Sequence, residues 1–208
     1  HDLRNPLSVA EGRLELAREE CETDDIDAAA AALDRMGALI EDVLTVARDG
    51  QSVTDPEPVD LAATVESSWR NVDTGTAEIV VGTDRTILAD EGRLRRLFEN
   101  LLRNSVEHGS TSSRTESDDA VEHGSDGVTI TVGDLEDGFY VEDDGPGIPE
   151  DERTAVFEDG YSTDSQGVGF GLSIVGEIVE AHDWTIRVTE SCEGGARFEI
   201  TGVDVLEP

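Results

Sequence analysis

Hydrophobic residues recur in alternating steps of four and three along two stretches near the start of the chain. The first series is Leu3, Leu7, Ala10, Leu14, Ala17 and Cys21, and the second is Ile26, Ala29, Leu33, Met36, Ile40, Val43 and Ala47. This spacing is typical of helices that pack as a coiled coil. Polar residues at 23–25 separate the two series, so the sequence predicts a helical hairpin at residues 1–50.

A single hairpin with so many small residues along its apolar stripe buries little surface. We therefore expect two copies of the chain to join their hairpins in a four-helix bundle, which makes the protein a homodimer. Residues 50–58 contain one glycine and two prolines and interrupt the helical periodicity. They predict a linker at 51–58, followed by a second domain at 59–208.

The second domain mixes helical and strand-like segments without regular alternation. Apolar residues at helical spacing predict helices near 60–72, 91–108 and 170–182. Short β-branched or alternating runs predict strands near 78–82, 86–90, 127–134, 138–143, 184–191 and 196–201. This arrangement favours the α+β class, with helices on one face of a mixed sheet. Residues 109–127 are rich in Ser, Thr, Asp and Gly and predict an insertion loop.

The charge composition restricts the partners that the chain can have. It contains 49 acidic and 15 basic residues, a formal net charge of −34, and every basic residue is arginine. Because such a surface repels nucleic acid and anionic lipid, neither is expected as a partner. Molar salt shortens the screening length to about 3 Å and relieves the self-repulsion of the chain. The composition resembles that of proteins from extreme halophiles such as haloarchaea, so we expect adaptation to concentrated intracellular salt.

No run of the chain reaches the roughly 18 apolar residues that a membrane-spanning helix needs. The chain begins at His1 rather than at methionine and has no recognisable signal peptide. We therefore expect a cytoplasmic fragment that makes no membrane contact itself, with any sensor or membrane anchor of the full-length protein lying upstream.

The first residues, HDLRNP, combine groups that suit phosphoryl transfer. A neutral imidazole is nucleophilic near neutral pH, and an adjacent carboxylate can fix its tautomer and take its proton, which gives roles to His1 and Asp2. Asn5 follows one helical turn later, where its amide could orient a water for the reverse hydrolysis. Pro6 removes a helical hydrogen bond, so a bend is expected beneath the histidine. The alternative for a single surface histidine is a solvated side chain.

Two glycine-containing segments of the second domain suit a nucleotide. The turn DDGPGIP follows a strand and places Asp143 where its carboxylate can accept a hydrogen bond from an exocyclic amine such as that of adenine. Gly145 and Gly147 in this turn permit close backbone approach. The segment GVGFGL opens a helix and presents backbone N–H groups to phosphate oxygens. Each segment by itself is also compatible with an ordinary turn.

The long helix near 91–108 carries two amides, Asn100 and Asn104, on one polar stripe. Mg²⁺ is usually held by one or two protein oxygens together with phosphates and waters, so Asn104 with Asn100 in support is the predicted magnesium site. A buried amide pair that caps a loop is the alternative. Another stripe of this helix is predicted to be buried and consists of Leu94, Leu97, Phe98, Leu101 and Ser105.

The order of these motifs is more specific than any one of them. HDLRNP, NLLRN, DDGPG, VFEDGYS and GVGFGL follow one another along the chain, which over essentially its whole length resembles the sensor histidine kinases of two-component systems. The resemblance implies a dimerisation and phosphoacceptor hairpin, then an ATP-binding α/β sandwich of the Bergerat type. It also implies that His1 is phosphorylated from MgATP and passes the phosphoryl group to an aspartate of a response regulator receiver domain. Asn5 would serve a phosphatase activity toward that regulator.

The same resemblance assigns the nucleotide contacts. Asp143 would read adenine, Asn104 and Asn100 would bind magnesium, and residues 159–166 would form a lid. The remaining predicted contacts are His108, Gly145, Gly147, Ile148, Phe157, Gly167, Val168, Gly169, Phe170, Gly171 and Leu172.

The chain departs from the family pattern at Glu107 and His108, where a basic residue and an aromatic residue are common. The lid also contains no Arg or Lys. We expect Glu107 to point to solvent, and the phosphates to be neutralised by Mg²⁺, backbone N–H groups and Arg103 or Arg153. Two other functions remain open: a kinase-like scaffold or phosphatase with a weakened ATP site, and an ATP hydrolase of the gyrase type.

Overall fold

The computed structural model describes residues 53, 55–109, 127–157 and 171–206. All of them belong to the second of the two units into which the chain divides, His1–Arg48 and Asp49–Pro208. The predicted hairpin, the lid and most of the insertion loop lie outside the described residues. The same is true of seven predicted site residues, namely His1, Asp2, Asn5, Gly167, Val168, Gly169 and Phe170.

The described residues contain eight strands and three α-helices. In chain order the strands are β1 (Glu57–Asp60), β2 (Glu78–Gly82), β3 (Thr86–Ala89), β4 (Thr129–Leu135), β5 (Gly138–Asp143), β6 (Thr185–Glu190), β7 (Ala196–Thr201) and β8 (Val205–Leu206). The helices are α1 (Leu61–Trp69), α2 (Glu91–Gly109) and α3 (Gly171–Ala181), and a 3-10 turn spans Ala155–Phe157.

The strands form two sheets. The larger sheet has the order β2-β4-β5-β7-β6, with β2 parallel to β4 and the other neighbours antiparallel. The smaller sheet has the order β1-β3-β8 and is antiparallel throughout. The predicted strands at 78–82, 138–143 and 196–201 coincide with β2, β5 and β7.

The core lies between the larger sheet and the helices. Alternate residues of β4, β5 and β7 point inward and are buried, and they pack in one cluster with the apolar faces of α2 and α3, as the period of two in strands and about 3.6 in helices requires. The rings of Phe98 on α2 and Phe139 on β5 lie 5.4 Å apart between centroids. Because α2 packs on α3 as well as on the sheet, its position is fixed from two sides. The predicted α+β class, with helices on one face of a mixed sheet, is confirmed.

Aspartate side chains cap the first turns of two helices. Asp60 Oδ1 accepts a hydrogen bond from the Ala63 amide at 2.8 Å, at the start of α1. Asp90 Oδ1 accepts one from the Arg93 amide at 3.0 Å, at the start of α2. A capping carboxylate satisfies an amide that has no partner within the helix, so these two residues define where the helices begin. None of the described helices has the length and apolarity needed to cross a membrane.

The predicted linker at 51–58 is wrong at its C-terminal end. Glu57 and Pro58 belong to β1 and pair with Ala89 and Leu88 of β3. Val53 is also tied to the domain, since its amide donates to the carbonyl of Ala181 at 2.8 Å. An edge strand tolerates proline because one side of its backbone needs no ladder hydrogen bond. Prolines therefore did not mark the end of the ordered domain here.

Candidate nucleotide site

Asp143 is the last residue of β5, and its carboxylate is directed into the core. Alternate residues of β5, Phe139, Val141 and Asp143, are buried on the same face of the sheet. Asp143 is only 7% exposed. Burial of an ionised carboxylate is costly unless hydrogen bonds replace the lost water, so the groups around Asp143 decide whether the site is stable.

Three donors compensate for this burial. Ser105 Oγ on α2 donates to Asp143 Oδ2 at 2.8 Å. The amides of Gly145 and Ala196 donate to Asp143 Oδ1 at 3.0 and 3.1 Å. A carboxylate offers about four acceptor positions. The described residues therefore leave one position on Oδ2 for a ligand, and the adenine contact that the sequence assigned to Asp143 stays a prediction.

A side chain is excluded at each of the two glycines of the DDGPGIP turn, for a different steric reason. A Cβ at Gly145 would lie 3.0 Å from Asp143 Oδ1 and 3.3 Å from the Cα of Gly109 at the end of α2. Gly147 has a φ of 71°, and a Cβ there would lie 2.7 Å from the carbonyl oxygen of Gly194. Gly145 thus permits the turn to approach α2, and Gly147 permits the left-handed backbone.

The side chain of Asn100 on α2 faces the first residue of α3. Asn100 is 5% exposed, and its Nδ2 donates to the carbonyl of Arg96 at 2.9 Å. Its Oδ1 is directed toward Gly171, where a Cβ would lie 3.4 Å from that oxygen. Asn104 follows one helical turn later and is half-buried. Amide oxygens are suitable ligands for Mg²⁺, and the N-terminus of a helix is suited to phosphate. The residues at this place therefore fit a magnesium-bound nucleotide.

The residues that depart from the family pattern lie at the end of α2. Glu107 is exposed, as expected, and His108 is half-buried. Arg153 Nε donates to the carbonyl of Ile148 at 2.9 Å, and its Nη2 lies 3.8 Å from Glu190 Oε2. Its guanidinium therefore holds the segment after the DDGPGIP turn, and the phosphate contact proposed for Arg103 or Arg153 stays a prediction.

Three predicted apolar contacts pack against the domain core. Ile148, Phe157 and Leu172 are half-buried and lie beside the buried cluster. Phe157 ends the 3-10 turn and packs on α3, since a Cβ at Gly176 would lie 3.8 Å from the Cβ of Phe157. The structure therefore brings Asp143 and Gly145 against the C-terminal part of α2, through Ser105 and Gly109, and brings Asn100 of α2 against Gly171 at the start of α3. The nucleotide contacts of Phe157, Ile148 and Leu172 stay predictions.

A second group of residues around Asp143 was missed by sequence reasoning. Ser191 Oγ donates to the carbonyl of Asp143 at 2.8 Å and accepts a hydrogen bond from the Gly195 amide at 2.9 Å. A Cβ at Gly195 would lie 2.0 Å from the Asp143 carbonyl oxygen. The turn between β6 and β7 is thus packed directly on the end of β5. Ser105 had a sequence signal, a hydroxyl on an otherwise apolar helix face, whereas Ser191 and Gly195 look like ordinary turn residues.

A half-buried imidazole just after α3 links that helix to the start of α2. His182 Nε2 accepts a hydrogen bond from the Asp90 amide at 3.0 Å, and its Nδ1 lies 2.8 Å from the carbonyl of Ile178, to which it donates. The ring stacks on Trp184 at 4.2 Å between centroids. Burial lowers the pKa of His182 below its ordinary 6.5, against the opposing effect of the hydrogen bond to Ile178. The neutral form fits this geometry because Nε2 needs its lone pair to accept.

Two protein families match the chain. Residues 89–204 match the histidine kinase-, DNA gyrase B- and HSP90-like ATPases. Residues 1–52 match the His Kinase A phosphoacceptor domain. The first match covers α2, the Asp143 turn and α3, and the second begins at His1.

Curated relatives extend over nearly all of the chain. The signal transduction histidine-protein kinase/phosphatase MprB of Mycolicibacterium smegmatis is 29% identical over 94% of this chain and 41% of its own length. The sensor protein kinase PilS of Pseudomonas aeruginosa is 28% identical over 97% of this chain and 38% of its own length. The chain therefore spans less than half the length of these relatives.

Solved structures agree with this assignment. Full-length ShkA in complex with AMPPNP is 28% identical, with a TM-score of 0.70 over 100% of this chain and 45% of that chain. The mycobacterial sensor histidine kinase MprB is 26% identical, with a TM-score of 0.57 over 74% of this chain and 99% of that chain. The Bergerat-type sandwich expected from the sequence is confirmed.

The fold and the Asp143 turn define an ATPase domain of the kind shared by histidine kinases, DNA gyrase B and HSP90. The chain belongs to this family and, because it also matches the phosphoacceptor domain, to the histidine kinases within it.

Proposed function

We propose that the chain transfers the γ-phosphoryl group of ATP to His1 and then to an aspartate of a response regulator. The observation that carries the proposal is the buried Asp143 carboxylate, which is bound by Ser105 of α2 and keeps an acceptor position among the described residues, in a chain whose phosphoacceptor match begins at His1. An ATP pocket and an exposed imidazole are the two parts that autophosphorylation requires.

ATP is proposed to bind at the junction of β5, α2 and α3. The exocyclic amine of adenine donates to Asp143 Oδ2, and the phosphates lie at the start of α3, where backbone N–H groups face them. The neighbour ShkA was solved in complex with AMPPNP, which supports nucleotide binding by a chain of this fold. Asn104, supported by Asn100, holds Mg²⁺, whose charge would offset that of the phosphates. The further contacts are those proposed from the Gly-rich segment, from Gly167 to Leu172.

The transfer step uses groups at the start of the chain. A nitrogen of the His1 imidazole forms a bond to the γ-phosphorus as the bond between that phosphorus and the ADP oxygen breaks. The imidazole proton passes to Asp2, and ADP leaves. Catalysis of this kind depends on positioning and electrostatic stabilisation more than on covalent chemistry by the protein.

A phosphatase activity toward the regulator is proposed as a second function. The relative MprB is named a histidine-protein kinase/phosphatase, and Asn5 lies one helical turn after His1 in the predicted hairpin. In this reaction the Asn5 amide orients a water that attacks the phosphorylated aspartate. The hairpin at 1–50 is also proposed to form the homodimer.

The proposed setting is cytoplasmic and salt-rich. A formal net charge of −34 without any lysine favours a protein that works in concentrated salt, where self-repulsion is screened. Assays of nucleotide binding and phosphorylation are therefore best carried out in molar KCl.

Incubation with γ-labelled MgATP tests the proposal. Wild type should acquire acid-labile, base-stable label on the peptide that contains His1, and His1→Gln should acquire none. Asn5→Ala serves as the matched control, because it should keep the label while losing phosphatase activity toward a phosphorylated regulator. Binding of ATP without any label would identify a scaffold, and release of phosphate without label would identify a hydrolase of the gyrase type.

A further inference from the structure

We propose that Ser105 is a positioning residue that fixes the Asp143 carboxylate and so sets the discrimination between 6-amino and 6-oxo purine nucleotides. This inference rests on the proposed ATP-binding function of the site. Ser105 is proposed to act through Asp143, without contacting the nucleotide itself.

The hydroxyl of Ser105 donates to a side chain of another element, not to a backbone carbonyl of its own helix. A serine inside a helix commonly donates to the carbonyl four residues earlier. Ser105 is 2% exposed and donates to Asp143 Oδ2 at 2.8 Å, across 38 residues of chain. Hydrogen bonds to a charged acceptor are stronger than those between neutral groups. The buried hydroxyl of Ser105 therefore orients one oxygen of the Asp143 carboxylate.

Among the described residues, backbone amides hold the other carboxylate oxygen. Oδ1 accepts from the amides of Gly145 and Ala196, and these come from two different segments. The second segment is held in turn by Ser191, which donates to the Asp143 carbonyl and accepts from Gly195. The hydrogen bonds to Oδ1 should therefore persist when Ser105 is replaced. Within the part of the chain that the structure describes, Ser105 supplies the one donor to Oδ2, the oxygen that keeps the free acceptor position.

The direction of the free acceptor position decides which purines bind well. An exocyclic amine at C6 donates to Oδ2, whereas an oxygen at C6 has no hydrogen to donate and is repelled by the carboxylate. A 6-amino nucleotide therefore gains from a well-oriented Oδ2, and a 6-oxo nucleotide does not. Loss of the Ser105 hydroxyl should weaken binding of the first and leave binding of the second unchanged.

Calorimetric titration with ADP and with IDP, in molar KCl with Mg²⁺, tests this inference without any phosphoryl transfer. Ser105→Ala should lower ADP affinity about tenfold, the order expected for loss of one hydrogen bond to a charged group. IDP affinity should stay at the wild-type value. Ser105→Cys, which keeps a weak donor of similar size, should give an ADP affinity between those of Ser and Ala.

Ser68→Ala is the matched control. Ser68 is 0% exposed on α1, and its Oγ donates to the carbonyls of Thr64 and Arg95 at 2.9 and 3.2 Å. Removal of this hydroxyl should leave the ratio of ADP to IDP affinity unchanged, and thermal unfolding by circular dichroism checks that all variants fold. An equal loss of ADP and IDP affinity in Ser105→Ala, or no loss, would overturn the inference alone. Failure of wild type to bind ADP would overturn the proposed function as well.

Discussion

Two neighbouring carboxylates of β5, Glu142 and Asp143, lie on opposite faces of the same sheet and are stabilised by different means. Glu142 accepts from the guanidinium of Arg197 at 2.8 Å, and Arg197 also donates to Glu199 at 2.9 Å and lies over the ring of Tyr140. Asp143 accepts from a hydroxyl and two amides, which carry no charge. On one face an arginine neutralises the carboxylate, whereas on the other the negative charge is kept.

The difference separates a structural role from a binding role. On the outer face Arg187 also donates to Glu199, so two arginines lie between two glutamates. Burial raises the pKa of Glu199, but the two arginine hydrogen bonds outweigh it and leave the pKa below its ordinary value. This network satisfies its charges internally. Asp143, by contrast, keeps both its charge and an acceptor position, which a ligand can use.

Replacement of Asp143 should have the largest effect. In Asp143→Asn the side chain loses its charge, and its amide nitrogen would face a hydroxyl or amide donor where the carboxylate accepted. ATP affinity should fall by at least about a hundredfold, or about 2.7 kcal/mol. Glu142→Gln, one residue earlier on the other face, should bind ATP as wild type does. Equal loss of ATP binding in these two variants, measured by calorimetry, would contradict the comparison.

Gly195→Ala should disturb the Asp143 face through the backbone. The new Cβ would lie 2.0 Å from the Asp143 carbonyl oxygen, so the turn must move away from β5 at a cost of about 2 kcal/mol or more in folding free energy. ATP affinity should fall as well, because the Ala196 amide moves with the turn. Gly176→Ala is the control: its Cβ makes only ordinary contacts, and a helix gains about 0.5–1 kcal/mol from this change. Chemical denaturation measures both values.

Replacement of Arg197 should lower the folding stability without changing the affinity for ATP. Arg197→Met leaves Glu142 and Glu199, whose side chains are 14% and 10% exposed, with fewer partners. Since the pairs are partly solvated, we expect about 1–2 kcal/mol of destabilisation at low salt. The loss should shrink in molar KCl, which screens the repulsion between the glutamates. A drop in ATP affinity at temperatures where the variant is folded would argue against separate roles for the two faces.

His182 should give the smallest effect, a dependence of stability on pH. Its pKa is lowered in the folded protein mainly by burial; Arg93 lowers it further, while Ile178 and Asp90 raise it. The unfolded imidazole therefore takes up a proton first as the pH falls. Stability should be complete above about pH 6.5 and should decrease below it until the folded-state pKa is reached, by about 1.4 kcal/mol for each unit of pKa difference.

Thermal unfolding between pH 5 and pH 8 measures this dependence. His182→Gln has no imidazole to titrate, so its unfolding temperature should fall less with decreasing pH than that of wild type. An identical pH dependence in the two proteins would show that the hydrogen bond from Asp90 to His182 does not control stability in this range.

The sequence predicted those features that depend on local periodicity. The strand at 138–143, the buried face of α2 and the turn after Asp143 all follow from patterns a few residues long. The magnesium and phosphate contacts of Asn104 and the Gly-rich segment stay predictions. Motif order supplied the family, because five short motifs in one order are far more specific than any single one.

The features that the sequence did not predict depend on contacts between distant segments. Ser191 reaches Asp143 across 48 residues, and the Ala196 amide reaches it across 53. Nothing near Ser191 distinguishes its turn from any other hairpin. Glu57 and Pro58 of β1 were assigned to a linker because of the nearby prolines, since their partners in β3 are remote in sequence. The hydrogen bond from Arg153 to the Ile148 carbonyl was not predicted, because no side-chain pattern reveals a backbone acceptor.

The most direct test combines substitutions at Asp143 and Glu142 with measurement of the label on His1. Wild type, Asp143→Asn and Glu142→Gln are incubated with γ-labelled MgATP in molar KCl, and the label on the peptide containing His1 is quantified by mass spectrometry and counting. The account predicts full labelling of wild type and Glu142→Gln and almost none of Asp143→Asn. Labelling of Asp143→Asn at the wild-type rate would contradict the claim that this carboxylate holds the nucleotide for transfer to His1.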